Sequence, residues 1–246
     1  MSPVTRPKVA TASWAIPGRM AAAFGEGGSV LQRYASRFDA VEINSSFYRD
    51  HRPQTYERWA AAVHDEFRFA VKMPRHITHT LRLVDTEEAV TAFVAAIRHL
   101  GHKLGPVLVQ LPPSLRFDPD VADGFTGMLR DRFDGSVAFE PRHASWFTPA
   151  AQRLMIERRI ARVAADPPPA PQATEPAGSD ELAYFRLHGS PRIYYSDYDA
   201  AFLDRLATRI GRSSARTIWC VFDNTALGAA TENALTFAAI AASALG

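Results

Sequence analysis

The sequence predicts an α/β protein, a single (β/α)8 barrel of the TIM type spanning residues 1–246. Three observations predict it. Short apolar runs alternate with segments of helical periodicity, the pattern of parallel strands joined by helical crossovers. Eight such runs fall within 246 residues, the expected size of a closed barrel. Polar and charged residues cluster where those runs end, at the rim that carries the active site in barrel enzymes.

The runs are Val9–Ser13, Ala40–Asn44, Arg68–Lys72, Val107–Leu111, Val137–Glu140, Ile160–Asp166, Ala183–Leu187 and Thr217–Phe222. Helices are expected over Pro53–Val63 and Tyr198–Ile210, and from near Ala229 through the alanine-rich end. Asp85 and Glu88 have the spacing of a capping box before AVTAFVAAIRHL. Thr148 followed by Pro149 reads as an N-cap and first turn. Residues 167–181, opening with three prolines in DPPPAP, cannot form a regular helix and replace the sixth one with a loop. That loop is expected to be a surface insertion, with an active-site lid as the alternative.

Composition narrows the function. The net charge is +2 with basic residues dispersed, so nucleic acid is a possible partner but not an indicated one. The single cysteine, Cys220, lies in the apolar run TIWCVF and reads as a buried thiol rather than a nucleophile. The N-terminus MSPVTRPKVATASW has no apolar leader and no segment has transmembrane length, which sets the expectation of a cytoplasmic protein with no membrane partner.

Strand side chains alternate between two faces, so residues two apart share one. Glu42 and Asn44, Glu140 and Arg142, and Arg186 and His188 are such pairs. With Lys72, Gln110, Asp166, Asp223 and Asn224 they close the strands with a near-balanced set of charges. Trp14, Phe47, Tyr48, Trp146, Tyr194 and Tyr195 lie where they can form walls. Either the charges satisfy one another and seal the barrel top, or they form a pocket that works on a ligand.

The chain resembles the YecE-like family, the domain of unknown function numbered seventy-two, over nearly its whole length. The resemblance rests on VEINSSFYR (41–49), FRFAVKMPRHITH (67–79), LGPVLVQLPPSL (104–115), FEPRHASWF (139–147), YFRLHG (184–189) and FDNTALGAATENAL (222–235). It implies a TIM barrel, with Glu42, Asn44, Tyr48, Lys72, Gln110, Glu140, Arg142, Arg186, His188 and Asn224 as pocket residues. The chain departs from the family pattern at ATASW, where relatives carry a glycine-rich GTSGW-like segment, and at Asp223, where asparagine is common. It also departs across the proline-rich stretch 167–181. The resemblance implies no reaction.

Chemistry suggests one. The leading expectation is an enzyme, of hydrolase, isomerase or lyase type, acting on a small phosphorylated or carboxylated molecule, sugars included. Glu42, Lys72, Glu140 and His188 would supply acid, base or nucleophile. Arg142 and Arg186 would hold the anion, aided by Asn44, Tyr48, Gln110, Asp223, Asn224 and Trp14. No cofactor is expected. A Mg or Mn enzyme, a nuclease or isomerase with Glu42, Glu140, Asp166, Asp223 and His188 as ligands, is the alternative. A non-catalytic binder of an anionic metabolite or of nucleic acid is the third reading.

Overall fold

The computed structural model describes residues 6–245; the expectations for residues 1–5 and 246 lie outside it. Ten strands and seven α-helices alternate along the chain. Strands β1 (Lys8–Thr11), β2 (Ala40–Ile43), β3 (Arg68–Lys72), β4 (Leu104–Gln110) and β5 (Val137–Glu140) fall on the first five predicted runs. The sixth run divides into β6 (Ile160–Arg162) and β7 (Ala164–Asp166). A short β8 (Ala177–Gly178) precedes β9 (Leu182–Leu187) and β10 (Thr217–Phe222).

The closed barrel is corrected to two sheets. One has the order β1-β10-β9-β7 and the other β2-β3-β4-β5-β6-β8, parallel throughout except where β8 runs antiparallel to β6. Each seam has a physical cause. Between β1 and β2 stands the hydroxyl of Tyr34, from α1 (Val30–Tyr34). It accepts from Thr11 N at 3.0 Å and donates to Ala40 O at 3.2 Å, taking the place of a ladder bond. At the other seam the sixth strand changes partners. Its first half pairs with β5, Val163 N still donates to Phe139 O, and its second half pairs with β9. β8 holds the edge of β6 that β9 would otherwise meet. Gly178 (φ +78°) makes that approach possible, since a Cβ there would lie 2.2 Å from Ile160 O.

The helices α2 (Pro53–Ala61), α3 (Glu87–Ile97), α4 (Pro119–Arg132), α5 (Pro149–Glu157), α6 (Ala200–Gly211) and α7 (Ala229–Leu245) bury their apolar faces on the outer sides of the sheets. Thr148 caps α5 as expected, accepting from Ala151 N. The capping box before α3 does not form: Asp85 has φ +50°, and the helix begins after Thr86, whose side chain makes no cap bond. The proline-rich stretch is neither a lid nor a loose insertion. A 3-10 turn at Pro171–Thr174 buries Ala173, Arg162 Nη2 donates to Gln172 O, and β8 pins the segment to β6. It runs along the flank where a sixth helix would pack.

A second core lies between the sheets. Ala10, Ala12, Ala40, Ala70, Ala138 and Ala161 supply small side chains, and Tyr184 and Trp219 fill the space they leave, stacked with centroids 6.1 Å apart. Gly105 belongs to this arrangement, because a Cβ there would stand 2.8 Å from the Trp219 ring.

Tyr34→Phe keeps the ring and deletes the bridging hydroxyl. Thr11 N–H and Ala40 C=O are then left unpaired, so urea unfolding is expected to show a loss of about 1–3 kcal/mol. An unchanged midpoint would mean that the seam does not depend on the bridge.

Candidate functional site

Strands β2, β3, β4, β5 and β10 repeat the same inward pattern, a small or apolar residue followed two positions later by a polar one. Ala40 precedes Glu42, Ala70 precedes Lys72, Leu108 precedes Gln110, Ala138 precedes Glu140, and Val221 precedes Asp223. On β9 the series is Tyr184, Arg186, His188. The register staggers these residues: Gln110 stands beside Glu140, but Glu42 pairs with Ala70, Lys72 with Leu108 and Arg186 with Val221, so long side chains from different levels converge above the alanine core.

Arg186 is the centre of that layer and is wholly buried. Its Nη2 and Nε donate to Glu42 Oε1 at 2.6 Å and Oε2 at 3.0 Å, a bidentate pair. Its Nη1 donates to Glu140 Oε2 at 3.1 Å, and Nη2 also lies 3.1 Å from Asp223 Oδ2. Tyr184 OH donates to Glu42 Oε2 at 2.8 Å. Burial works against the charge on Arg186, but Asp223, Glu42 and Glu140 outweigh it and hold its pKa well above the ordinary value.

His188 bridges the other two carboxylates. Nδ1 lies 3.0 Å from Asp223 Oδ2 and Nε2 lies 2.7 Å from Glu140 Oε1. Nε2 also lies 2.8 Å from Nη2 of Arg142, which donates to Glu140 Oε1 at 2.6 Å. A proton on Nε2 is donated to Glu140, and without it the nitrogen accepts from Arg142. Both states are hydrogen-bonded, so the proton can move without leaving a buried group unpaired. Burial alone would raise Glu140 and Asp223. Arg142, Arg186 and His188 instead hold Glu140 well below the carboxylate range, and Arg186 and the His188 hydrogen bond lower Asp223.

Lys72 differs from its neighbours. It is 4% exposed, yet among the described residues its ammonium makes no hydrogen bond and has no carboxylate within 4.0 Å. It rests over the Phe47 ring, 4.1 Å from the centroid. Burial, then Arg186, lowers its pKa to about 8. Among the described residues five buried side-chain atoms lack hydrogen-bond partners: Oδ1 of Asn44 and Asn224, and Nε of Arg162, Arg209 and Arg142, the last with its side chain 14% exposed. Tyr194 stands over His188 with ring centroids 6.0 Å apart, in a left-handed backbone (φ +70°) that costs a non-glycine residue strain. Ser13, in the segment where relatives carry glycine, has φ +146°.

The structure thus brings together Glu42, Lys72, Glu140, Arg142, Arg186, His188 and Asp223. Other expected residues lie apart. Trp14 packs edge-to-face on Trp59 of α2, and Tyr48 is 73% exposed. Asn224 donates to Ser196 O and Asn233 Oδ1, tying a loop to α7. Asp166 accepts from Tyr198 OH, Trp146 is buried in the outer core, and Cys220 is buried, which pushes its thiol up. Tyr184 was absent from the expected set, although it is one parity step before Arg186. A cavity of about 430 Å³ between α2 and α3 holds none of the charged cluster, though Ser46 in its wall donates to Lys72 O. Among the described residues no group of three or more His, Cys, Asp or Glu is disposed to hold a metal, and no helix is long and apolar enough to cross a membrane.

Fold and site define a mixed α/β protein of parallel sheets with a buried ionic cluster at the strand ends. The family model described as "Protein of unknown function DUF72" matches residues 8–245, and the chain belongs to that family. It is 30% identical over 133 residues to the UPF0759 protein YecE of Escherichia coli K12, an alignment covering 53% of this chain and 47% of that protein. The chain thus matches about half the length of this curated relative. Its fold is shared by DUF72 proteins of Enterococcus faecalis V583 (TM-score 0.79, 23% identity, 96% and 95% of the two chains covered) and Thermotoga maritima MSB8 (TM-score 0.76, 24% identity, 92% and 95% covered).

Glu42→Gln leaves part of the Arg186 charge uncompensated and is expected to cost about 3–5 kcal/mol in denaturant unfolding; a loss under about 1 kcal/mol would mean the pair is dispensable. Glu140 and Asp223 have lowered pKa values in the fold. The stability they contribute is therefore full above the unfolded values of roughly 4. It is lost as pH falls from there toward the folded values. Thermal midpoints between pH 6 and pH 3 should fall steeply at the acid end, and a flat profile would contradict the assignment.

Proposed function

We propose that the chain is an enzyme performing acid/base chemistry on a small anionic molecule at the carboxyl ends of its strands. One observation carries this reading: Lys72, a largely buried lysine whose ammonium meets only the Phe47 ring and no hydrogen-bond or carboxylate partner, sits beside a network in which every other charge is paired. An unpaired buried ammonium costs stability, and a site that receives an anion accounts for its retention.

Roles follow from unused hydrogen-bonding capacity. Arg142 keeps Nε free and receives the anionic group, with the Lys72 charge adding to the attraction. Asn44, whose Oδ1 is unpartnered, accepts from a substrate hydroxyl, and Gln110, half-buried next to Glu140, lines the same wall. Glu140 and His188 move the proton. Glu42, expected as acid or base, has both oxygens taken by Arg186 and Tyr184 and serves as an anchor. Arg186 occupies the point on which Glu42, Glu140 and Asp223 converge. That favours metal-free chemistry over the Mg or Mn alternative, since the guanidinium already supplies the positive charge. The two sheets act as halves of one eight-stranded barrel, with β1 beside β2 and β6 beside β9, parted at the Tyr34 and Val163 seams.

Sulfate keeps its charge between pH 7 and 9 and serves as the probe. It should raise the unfolding free energy of the protein by about 2.7 kcal/mol at a hundredfold excess over Kd, and Arg142→Gln should abolish the effect. Affinity is highest where Lys72 is charged, so it should fall as pH rises through about 8. Lys72→Met should bind more weakly and lose that dependence. Equal response in wild type and Arg142→Gln would refute the anion site.

A further inference from the structure

We infer that Lys72 is a nucleophile that forms an imine with the carbonyl group of an anionic aldehyde or ketone, an inference that rests on the anion-binding reading above. Lysine occurs only three times, at positions 8, 72 and 103, among 28 lysines and arginines. The other cations of the cluster are arginines, Arg142 and Arg186. Arginine cannot give up its proton within the working range of a protein, whereas lysine can and then carries a free electron pair. A lysine at the one unpaired position is what covalent chemistry requires and what simple charge complementarity does not.

The two other lysines lack this disposition. Lys103 is also buried, but its ammonium is engaged, donating to Ala60 O at 2.8 Å and Val63 O at 2.7 Å. Lys8 is half-buried at the opposite, amino end of β1. Lys72 alone pairs burial with an unengaged nitrogen, beside an aromatic wall and at the end of a strand. Burial and Arg186 bring its pKa to about 8, so a substantial neutral fraction exists near physiological pH.

The step balances within the site. The neutral Nζ adds to the carbonyl carbon, and as the π bond breaks the carbonyl oxygen takes up the proton that the nitrogen releases, giving a carbinolamine. The C–O bond then breaks, the hydroxyl leaves as water with a proton from the His188–Glu140 pair, and a protonated C=N bond remains. The sum is amine plus carbonyl plus one proton giving iminium plus water, with no oxidant or reductant. Lys72 and Arg142 lie on β3 and just past β5, two strand spacings or roughly 10 Å apart across the sheet, with Arg142 four residues further along, since Lys72 aligns with Leu108 and Leu108 with Ala138. That separation suits an anionic group several bonds from the carbonyl.

The test uses the full-length protein with sodium cyanoborohydride and either succinic semialdehyde or butyraldehyde, which is of similar length but lacks the carboxylate. Adducts are mapped by peptide mass spectrometry. The expected result is at least tenfold faster modification of Lys72 than of Lys8 or Lys103, faster with succinic semialdehyde than with butyraldehyde. Arg142→Gln should erase the preference for the acid while leaving Lys72 reactive. Labelling of Lys8 as fast as Lys72, or no Lys72 adduct while sulfate still binds, overturns the imine role and leaves the anion site standing. Loss of sulfate binding as well removes the reading beneath it.

Discussion

A permanent cation buried between two sheets is the constraint on which the rest of this structure depends. Arg186 has no solvent to offset its desolvation, so carboxylates must, and Glu42, Glu140 and Asp223 do. Those three residues come from β2, from β5 and from just past β10, so the ion network forms only when strands of both sheets come together. The layer of alanines below serves the same end. Larger residues at Ala40, Ala70 or Ala138 would compete for the space filled by Tyr184 and Trp219, and Tyr184 is itself a ligand of Glu42. Packing and electrostatics therefore specify one arrangement together.

Lys72 follows from that arrangement. The carboxylates within the cluster are spent on Arg186, Arg142 and His188, and the lysine facing them is left with an aromatic ring. A stable fold would gain by pairing or removing it. Local cost of this kind, together with the left-handed Tyr194 beside His188, concentrates where proteins do chemistry. Of the two readings open for a charged strand-end cluster, the sealed network describes Arg186, His188, Arg142 and the three carboxylates, while Lys72 is left outside it.

Period-two parity made much of this legible in advance. Glu42, Glu140, Arg186 and His188 were placed on one face because strands alternate strictly, and long-range pairing kept that parity in register. The same rule would have reached Tyr184, hidden among the apolar residues of LAYFRL. Loops obey no such rule, so Trp14 and Tyr48, assigned to the walls by proximity in sequence, point elsewhere. The seams were also out of reach. The Tyr34 bridge depends on a helix side chain meeting two strands it does not belong to, and the break at Val163 depends on a two-residue strand folding back from a proline-rich segment. The Asp85–Glu88 spacing was misleading for a local reason: Asp85 takes a left-handed backbone (φ +50°) in place of the extended N-cap conformation, and the helix starts one residue later, after Thr86.

With three lysines in the chain, selective isotope labelling of lysine and a pH titration followed by NMR test the central claim most directly. The account predicts that the Lys72 amine titrates with a midpoint of about 8, since burial, then Arg186, outweigh the opposing pull of Asp223, Glu42 and Glu140. A midpoint at or above the ordinary value of about 10.4 would mean that Lys72 shares the carboxylates with Arg186, and would contradict it.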